Sequence, residues 1–334
     1  MRRLLVFLAA LAGLATPAAA QEQQFADLGT CGEITDCRIG YRTHGTLNEA
    51  RDNAVLVPAW YGGRTEAMAF IATAPLLDPE RYFVILVDPI GNGVSISPSN
   101  SPSQPLGAFP ALTIADMVES QHRLLTEHLG IDHLHAITGI SMGGMQTFEW
   151  AARYPDFADR FVPVIGSPRL PAYDIVRWDT LNAIRAWERA CRCPEARAIN
   201  AGFGLTTRPI GVANDTVARE DAFDFIETRA AEDTFDEGTS WDLERQGEAM
   251  IDHDISRHFD GDMELAAREL GRRVEMMVVV SREDRIVAPG PAMDFARLAG
   301  FPLLVTDEGC GHGDFRCNPD VWTAAAGAFI AGED

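Results

Sequence analysis

Apolar residues in this chain gather into short runs separated by amphipathic stretches. Arg38–Thr43 (RIGYRT) alternates apolar and polar positions, as a half-buried strand does. Asn53–Ala59 (NAVLVPA) and Tyr82–Val87 (YFVILV) are continuous apolar runs. Leu134–Thr138, Arg160–Ile165, Met276–Val280 and Pro302–Thr306 are further ones. Runs of this length predict buried strands of a mostly parallel sheet, covered on both faces. Between them the period becomes helical. Thr113 precedes Asp116 at capping-box spacing, and Ile114, Met117, Val118, Leu124, Leu125 and Leu129 then recur until Gly130. Met142–Tyr154 predicts a second helix stopped by Pro155, and Asp320–Ala331 a terminal one.

Alternating strands and helices predict an α/β fold with right-handed crossovers. One interval breaks the rhythm. Residues 169–270 carry helical patterns and many acids but no convincing buried strand, which predicts a helical cap inserted over the carboxyl edge of the sheet. Open α/β sheets place their ligands at that edge. Residues 21–168 and 271–334 then form the core. The first twenty residues read differently. Arg2 and Arg3, the apolar run Leu4–Leu14 and the small residues Ala18–Ala20 predict a cleaved secretory leader, and the run is too short for a membrane span. The expected location is periplasmic or secreted, with no membrane anchor.

Composition narrows the function. The 334 residues are 46% hydrophobic and 23% charged, an ordinary globular balance. A formal net charge of -21 disfavours nucleic acid, whose phosphates such a surface repels. The six cysteines, Cys31, Cys37, Cys191, Cys193, Cys310 and Cys317, suit disulfides in an exported chain. Proximity favours Cys31–Cys37 and Cys310–Cys317, whereas a bridge across the single residue of Cys191-Arg-Cys193 closes a strained ring. A zinc site is the weaker reading of the same residues.

The candidate chemistry lies in Gly139-Ile-Ser141-Met-Gly143. A strand-like run precedes it and a helix-like run follows, the context of a nucleophile elbow. The elbow presents the Ser141 hydroxyl above the sheet and places the Met142 N–H at a helix N-terminus, where it stabilises an oxyanion. The hydroxyl needs a base and the base an acid. Asp284 follows the run Met276–Val280, and His312, between two glycines, follows Pro302–Thr306. Glu283 and Asp307 are local competitors of Asp284. His133 and His135 fit a strand, and His253 and His258 miss the spacing of a helical zinc pair. Asp260, Asp262 and Glu264 lack the glycine of a calcium loop and read as a solvated turn. The second oxyanion donor falls in Val57–Gly63: Trp60, with Tyr61 as the alternative.

Several blocks resemble the homoserine O-acetyltransferase family of α/β-hydrolases. They are Gly40–Asn48 leading into Asn53-Ala-Val-Leu-Val, Asp88-Pro-Ile-Gly-Asn-Gly with Ser97-Pro-Ser, and Thr113–Val118 before Gln121. Gly139–Gln146 with Glu149-Trp150-Ala and Tyr154-Pro-Asp156, then Asp284 and Gly311-His312, complete them. The likeness covers residues 38–168 and 274–315. It implies an α/β-hydrolase fold, a triad of Ser141, Asp284 and His312, and an acyl-enzyme. It does not carry the substrate over. Family members have an acid directly after the histidine, where this chain has Gly313, with Asp314 next. Asn182 aligns with the family's carboxylate-binding arginine, with Arg177 and Arg185 close by. Tyr61, Asp314 and Arg177 are the candidate substrate-binding residues. The sequence therefore predicts an exported serine hydrolase of a small-molecule acyl ester, with no cofactor and no metal, and with a homodimer left open. An acetyl-CoA-dependent O-acyltransferase is the alternative, and a non-catalytic binding protein on the same scaffold a second.

Overall fold

The computed structural model describes residues 22–232, 234–307, 309–317 and 319–333. The leader expected at residues 1–20 lies outside them. The strands are β1 (Gln24–Cys31), β2 (Ile34–His44), β3 (Ala54–Pro58), β4 (Phe83–Val87), β5 (Leu134–Ile140), β6 (Ala158–Val164), β7 (Glu275–Met276), β8 (Val278–Ser281) and β9 (Leu303–Thr306). They form one sheet in the order β1-β2-β4-β3-β5-β6-β8-β9, and β7 pairs with β6. Both pairings of β2 are antiparallel and all later ones are parallel. The run Met276–Val280 is divided at Met277 between β7 and β8, and the Met277 N–H donates to the Phe161 carbonyl of β6 at 3.0 Å.

The helices are α1 (Ile114–Arg123), α2 (Met142–Arg153), α3 (Ala172–Cys191), α4 (Pro194–Thr206), α5 (Ile210–Thr216), α6 (Ala222–Ala231), α7 (Glu237–Asp252), α8 (Met263–Arg273), α9 (Gly290–Ala299), α10 (Asp314–Cys317) and α11 (Pro319–Ala331). Thr113 caps α1 in the expected box with Asp116, and Leu124–Leu129 continue it as a π-helical turn closed by left-handed Gly130. Met142 to Ala151 of α2 are all buried, because this helix leaves the sheet centre and runs through the core. One apolar cluster joins α1, α2, α8 and α9 to the first face of the sheet. A second joins Met68, Ile71, Leu77, Trp322 and Ile330 to the other.

Between β6 and β7 the described residues hold helices α3 to α8 and no strand of the sheet. The segment rejoins the core where Ile255 N–H meets the Pro168 carbonyl at 3.1 Å and Arg169 bridges Asp254. Here Glu149 of α2 is buried against His258, at 2.8 Å, and His253. Burial pushes the Glu149 carboxyl up, but the His258 hydrogen bond and the charges of both imidazoles outweigh it and hold it below the ordinary range. All six cysteines are paired, Cys191–Cys193 included, which corrects the sequence expectation that its short ring disfavours it. Among the described residues no helix is long and apolar enough to cross a membrane.

Candidate active site

Ser141 ends β5 and begins α2 at φ 59 and ψ -118, a backbone conformation that a non-glycine residue adopts only where its surroundings enforce it. Its N–H donates to the Val164 carbonyl at 2.8 Å. The flanking glycines make this turn possible. A Cβ at Gly139 would strike the backbone of Gly143, and one at Gly143 would strike the Pro58 carbonyl. α2 therefore crosses β3 and β5 at backbone contact, and the serine stands at the carboxyl edge.

His312 lies on the loop after β9, with its Nε2 2.9 Å from Ser141 Oγ and its Nδ1 2.7 Å from Asp284 Oδ2. Asp284 follows β8, and its other oxygen accepts from the N–H groups of Ile286, at 2.7 Å, and Val287, at 2.9 Å. That carboxylate is buried with both oxygens engaged, so it cannot rotate away from the imidazole. The structure brings these three sequence candidates together. The competitor Asp307 instead pairs with Arg282 at the surface. Cys310–Cys317 closes a short loop around His312.

Around Ser141 and His312 a cavity of about 420 Å³ opens beneath α3 and α4. Trp60, Tyr61 and Arg177 line it, as do Arg185 and Arg316, and no carboxylate does among the described lining residues. The Tyr61 ring packs edge-on against Trp178 at 4.8 Å and its hydroxyl donates to the Leu243 carbonyl. Burial holds that phenol well above its ordinary pKa. Arg177 donates to the Ile286 carbonyl at 2.9 Å, tying α3 to the loop that carries Asp284. The Trp60 and Met142 amides, the two expected oxyanion donors, donate to no protein acceptor among the described residues.

Asp314 is placed differently from the expectation. It is buried and accepts from Ser281 Oγ at 2.7 Å, Thr306 Oγ1 at 2.9 Å and Cys310 N–H at 2.9 Å. As the first residue of α10 it points back at the ends of β8 and β9, so it pins the His312 loop and does not line the cavity. Asn182 is likewise outside the cavity and accepts from Arg185 at 3.1 Å.

Sequence reading passed over Asp174, in the first turn of α3. It accepts from the Ala288 N–H at 2.8 Å, beside Arg177 and the Asp284 loop. Burial raises it to about 6. Because the folded-state value lies above the unfolded one, Asp174 favours folding in its neutral form at low pH. That contribution disappears as pH rises from about 4 to 6. Asp242 shares this direction, so the variant isolates the share of Asp174. Asp174→Asn keeps an acceptor for Ala288 and removes the titration. Its Tm, read by circular dichroism against wild type, should gain about 2–4 °C on going from pH 4.5 to pH 7. Parallel Tm curves would refute the assignment.

An α/β-hydrolase fold family model matches residues 55–179. An ethyl acetate hydrolase of Pseudomonas veronii is 42% identical over 151 residues, which cover 44% of this chain and 43% of that protein. A homoserine O-acetyltransferase of Geotalea daltonii is 39% identical over 176 residues, 47% of this chain and 46% of that enzyme. The chain thus matches less than half the length of these curated relatives. The crystal structure of an acetylester hydrolase from Corynebacterium glutamicum matches over 93% of this chain and 95% of that one, with a TM-score of 0.80 and 27% identity.

Proposed function

From a chain with the α/β-hydrolase fold, related in sequence to an ester hydrolase and to a homoserine O-acetyltransferase, we propose an exported serine hydrolase that cleaves a small acyl ester. The observation that carries the reading is the unbroken contact from Ser141 Oγ to His312 and on to Asp284, at 2.9 and 2.7 Å. Asp284 accepts a hydrogen bond from Nδ1–H, which holds the tautomer that leaves Nε2 unprotonated to take the Ser141 hydroxyl proton. As that proton moves, Oγ attacks the ester carbonyl, and the Trp60 and Met142 amides stabilise the oxyanion. Collapse breaks the bond to the alcohol, which leaves with the proton from Nε2. Water then attacks the acyl-enzyme, gives its proton to His312, and the acid departs as Ser141 regains its hydrogen.

Water is favoured as acceptor over an amino alcohol for an electrostatic reason. Gly313 stands where the family's acid follows the histidine, Asp314 is taken up behind the loop, and the described residues that line the cavity include arginines and no carboxylate. Among the described lining residues an ammonium group meets no carboxylate and faces like charge. The helical segment 169–270 acts as the cap that sets substrate size. Three intramolecular disulfides support an oxidising location outside the cytoplasm.

The test uses mature protein beginning at residue 21. We expect saturable hydrolysis of p-nitrophenyl acetate without coenzyme A, and no acetyl transfer from acetyl-CoA to homoserine or serine. Transfer outrunning hydrolysis would establish the acyltransferase reading instead. Failure of a fluorophosphonate probe to label Ser141 would leave a binding protein.

A further inference from the structure

Beneath the cavity floor a line of buried amides runs in one direction. Trp150 Nε1 donates to Gln121 Oε1 at 2.8 Å, and Gln121 Nε2 donates to Gln146 Oε1 at 2.6 Å. Gln146 Nε2 then donates to the carbonyls of Ala59 and Met142, each at 3.1 Å. All three side chains are fully buried. The indole N–H can only donate, so it fixes the orientation of Gln121, and Gln121 in turn fixes Gln146. Reversing either amide would set donor against donor in a site without water access to relieve it. The line therefore has one polarity, and it ends on two backbone carbonyls.

The first of these carbonyls matters for the chemistry. Ala59 C=O and Trp60 N–H belong to one peptide unit, and in a trans unit they point in opposite directions. Anchoring the oxygen from below therefore aims the N–H the other way, towards the cavity that holds Ser141. The preceding peptide unit is held to the sheet by Ala59 N–H, which donates to the Val87 carbonyl at 3.0 Å. Gln146 and Ser141 sit on one helix, with Ser141 at its N-cap and Gln146 one turn further on, below Met142.

We infer that Gln146 is a positioning residue for the oxyanion hole: through Ala59 it fixes the Trp60 amide, and through Met142 it locks the first turn of the helix whose N-terminal amide is the second donor. The inference rests on the hydrolase reading above. Its physical content is that one rigid helix sets the nucleophile and both donors in a single frame. A donor held in advance stabilises the developing charge without reorganising as the charge forms. A chain of aligned hydrogen bonds also polarises the last amide, which strengthens its donation.

Two variants test this against p-nitrophenyl acetate. Gln146→Leu keeps the volume and removes both donations. We expect kcat to fall about 10- to 100-fold with KM within about threefold of wild type, because the lost contact acts on the transition state. Gln146→Glu gives a signature that packing damage does not. As a neutral acid it accepts from Gln121 and donates to Ala59, whereas as a carboxylate it opposes two carbonyl oxygens. Burial and those oxygens raise its pKa. Its kcat should therefore approach wild type at pH 5 and fall progressively towards pH 8, where the wild-type rate holds. If Gln146→Leu folds and retains wild-type kcat, the inference is overturned. If it does not fold, a Gln146→Glu profile parallel to wild type overturns it. Wild-type protein that neither turns over the ester nor reacts with fluorophosphonate would remove the hydrolase reading and this inference together, whereas active wild type with unaffected variants removes the inference alone.

Discussion

Ser141→Ala should lower kcat for p-nitrophenyl acetate by about 10⁴-fold or more while leaving the thermal midpoint within about 2 °C of wild type. The loss is large because, among the described residues, Ser141 Oγ is the hydroxyl that His312 Nε2 reaches, at 2.9 Å, and the other nitrogen is committed to Asp284. The fold should survive because the serine hydroxyl caps no backbone group of α2 and the positive φ is imposed by the packed backbone around it. Alanine carries the same strain. Residual turnover would come from the oxyanion donors and binding alone. A variant that kept a tenth of the wild-type rate would show that a different group attacks the carbonyl.

The second large effect is on stability. Gly143→Val should cost about 3 kcal/mol or more, lowering Tm by about 6 °C or more, or should leave the protein insoluble. Its Cβ would meet the carbonyl of Pro58, and that carbonyl cannot retreat. Pro58 lies in β3, in register with Val87 of β4, and the next N–H, of Ala59, donates to Val87. Gly204 of α4 is the comparison. A Cβ there meets nothing within 4 Å, so Gly204→Ala should gain a few tenths to about 1 kcal/mol through helix propensity. Thermal melts of the two variants in one buffer check both. A Gly143→Val midpoint equal to wild type would mean that α2 is free to move off the sheet.

The parts of the fold that were legible share one cause. Parallel strands buried on both faces must be continuous apolar runs, and β3, β4, β5 and β6 are such runs. β1 escaped because it is an edge strand: half its positions face solvent, and a bulge at left-handed Gly29 interrupts its alternation. Ser141, Asp284 and His312 were legible because each stands just after a strand, which is where this topology collects its loops. The supporting residues were not. Asp314 stands beside the histidine in sequence, yet the turn into α10 sends its carboxylate to Ser281 and Thr306. Asp174 and Arg177 meet the Asp284 loop across more than 100 residues, and no local spacing encodes that contact. Gln146 ends the block Gly139–Gln146, and its one-turn offset from Met142 was the available clue. Its partner Ala59 could not be read from spacing.

The cavity draws its floor and its roof from separate stretches of chain. Ser141, Ile140 and His312 belong to the sheet edge, whereas Leu181, Phe203 and Thr207 come from α3 and the end of α4. Divergence can then proceed at two speeds: roof positions such as Leu181, Phe203 and Thr207 can change to admit new molecules, while Asp174 and Arg177 must keep α3 moored to the Asp284 loop.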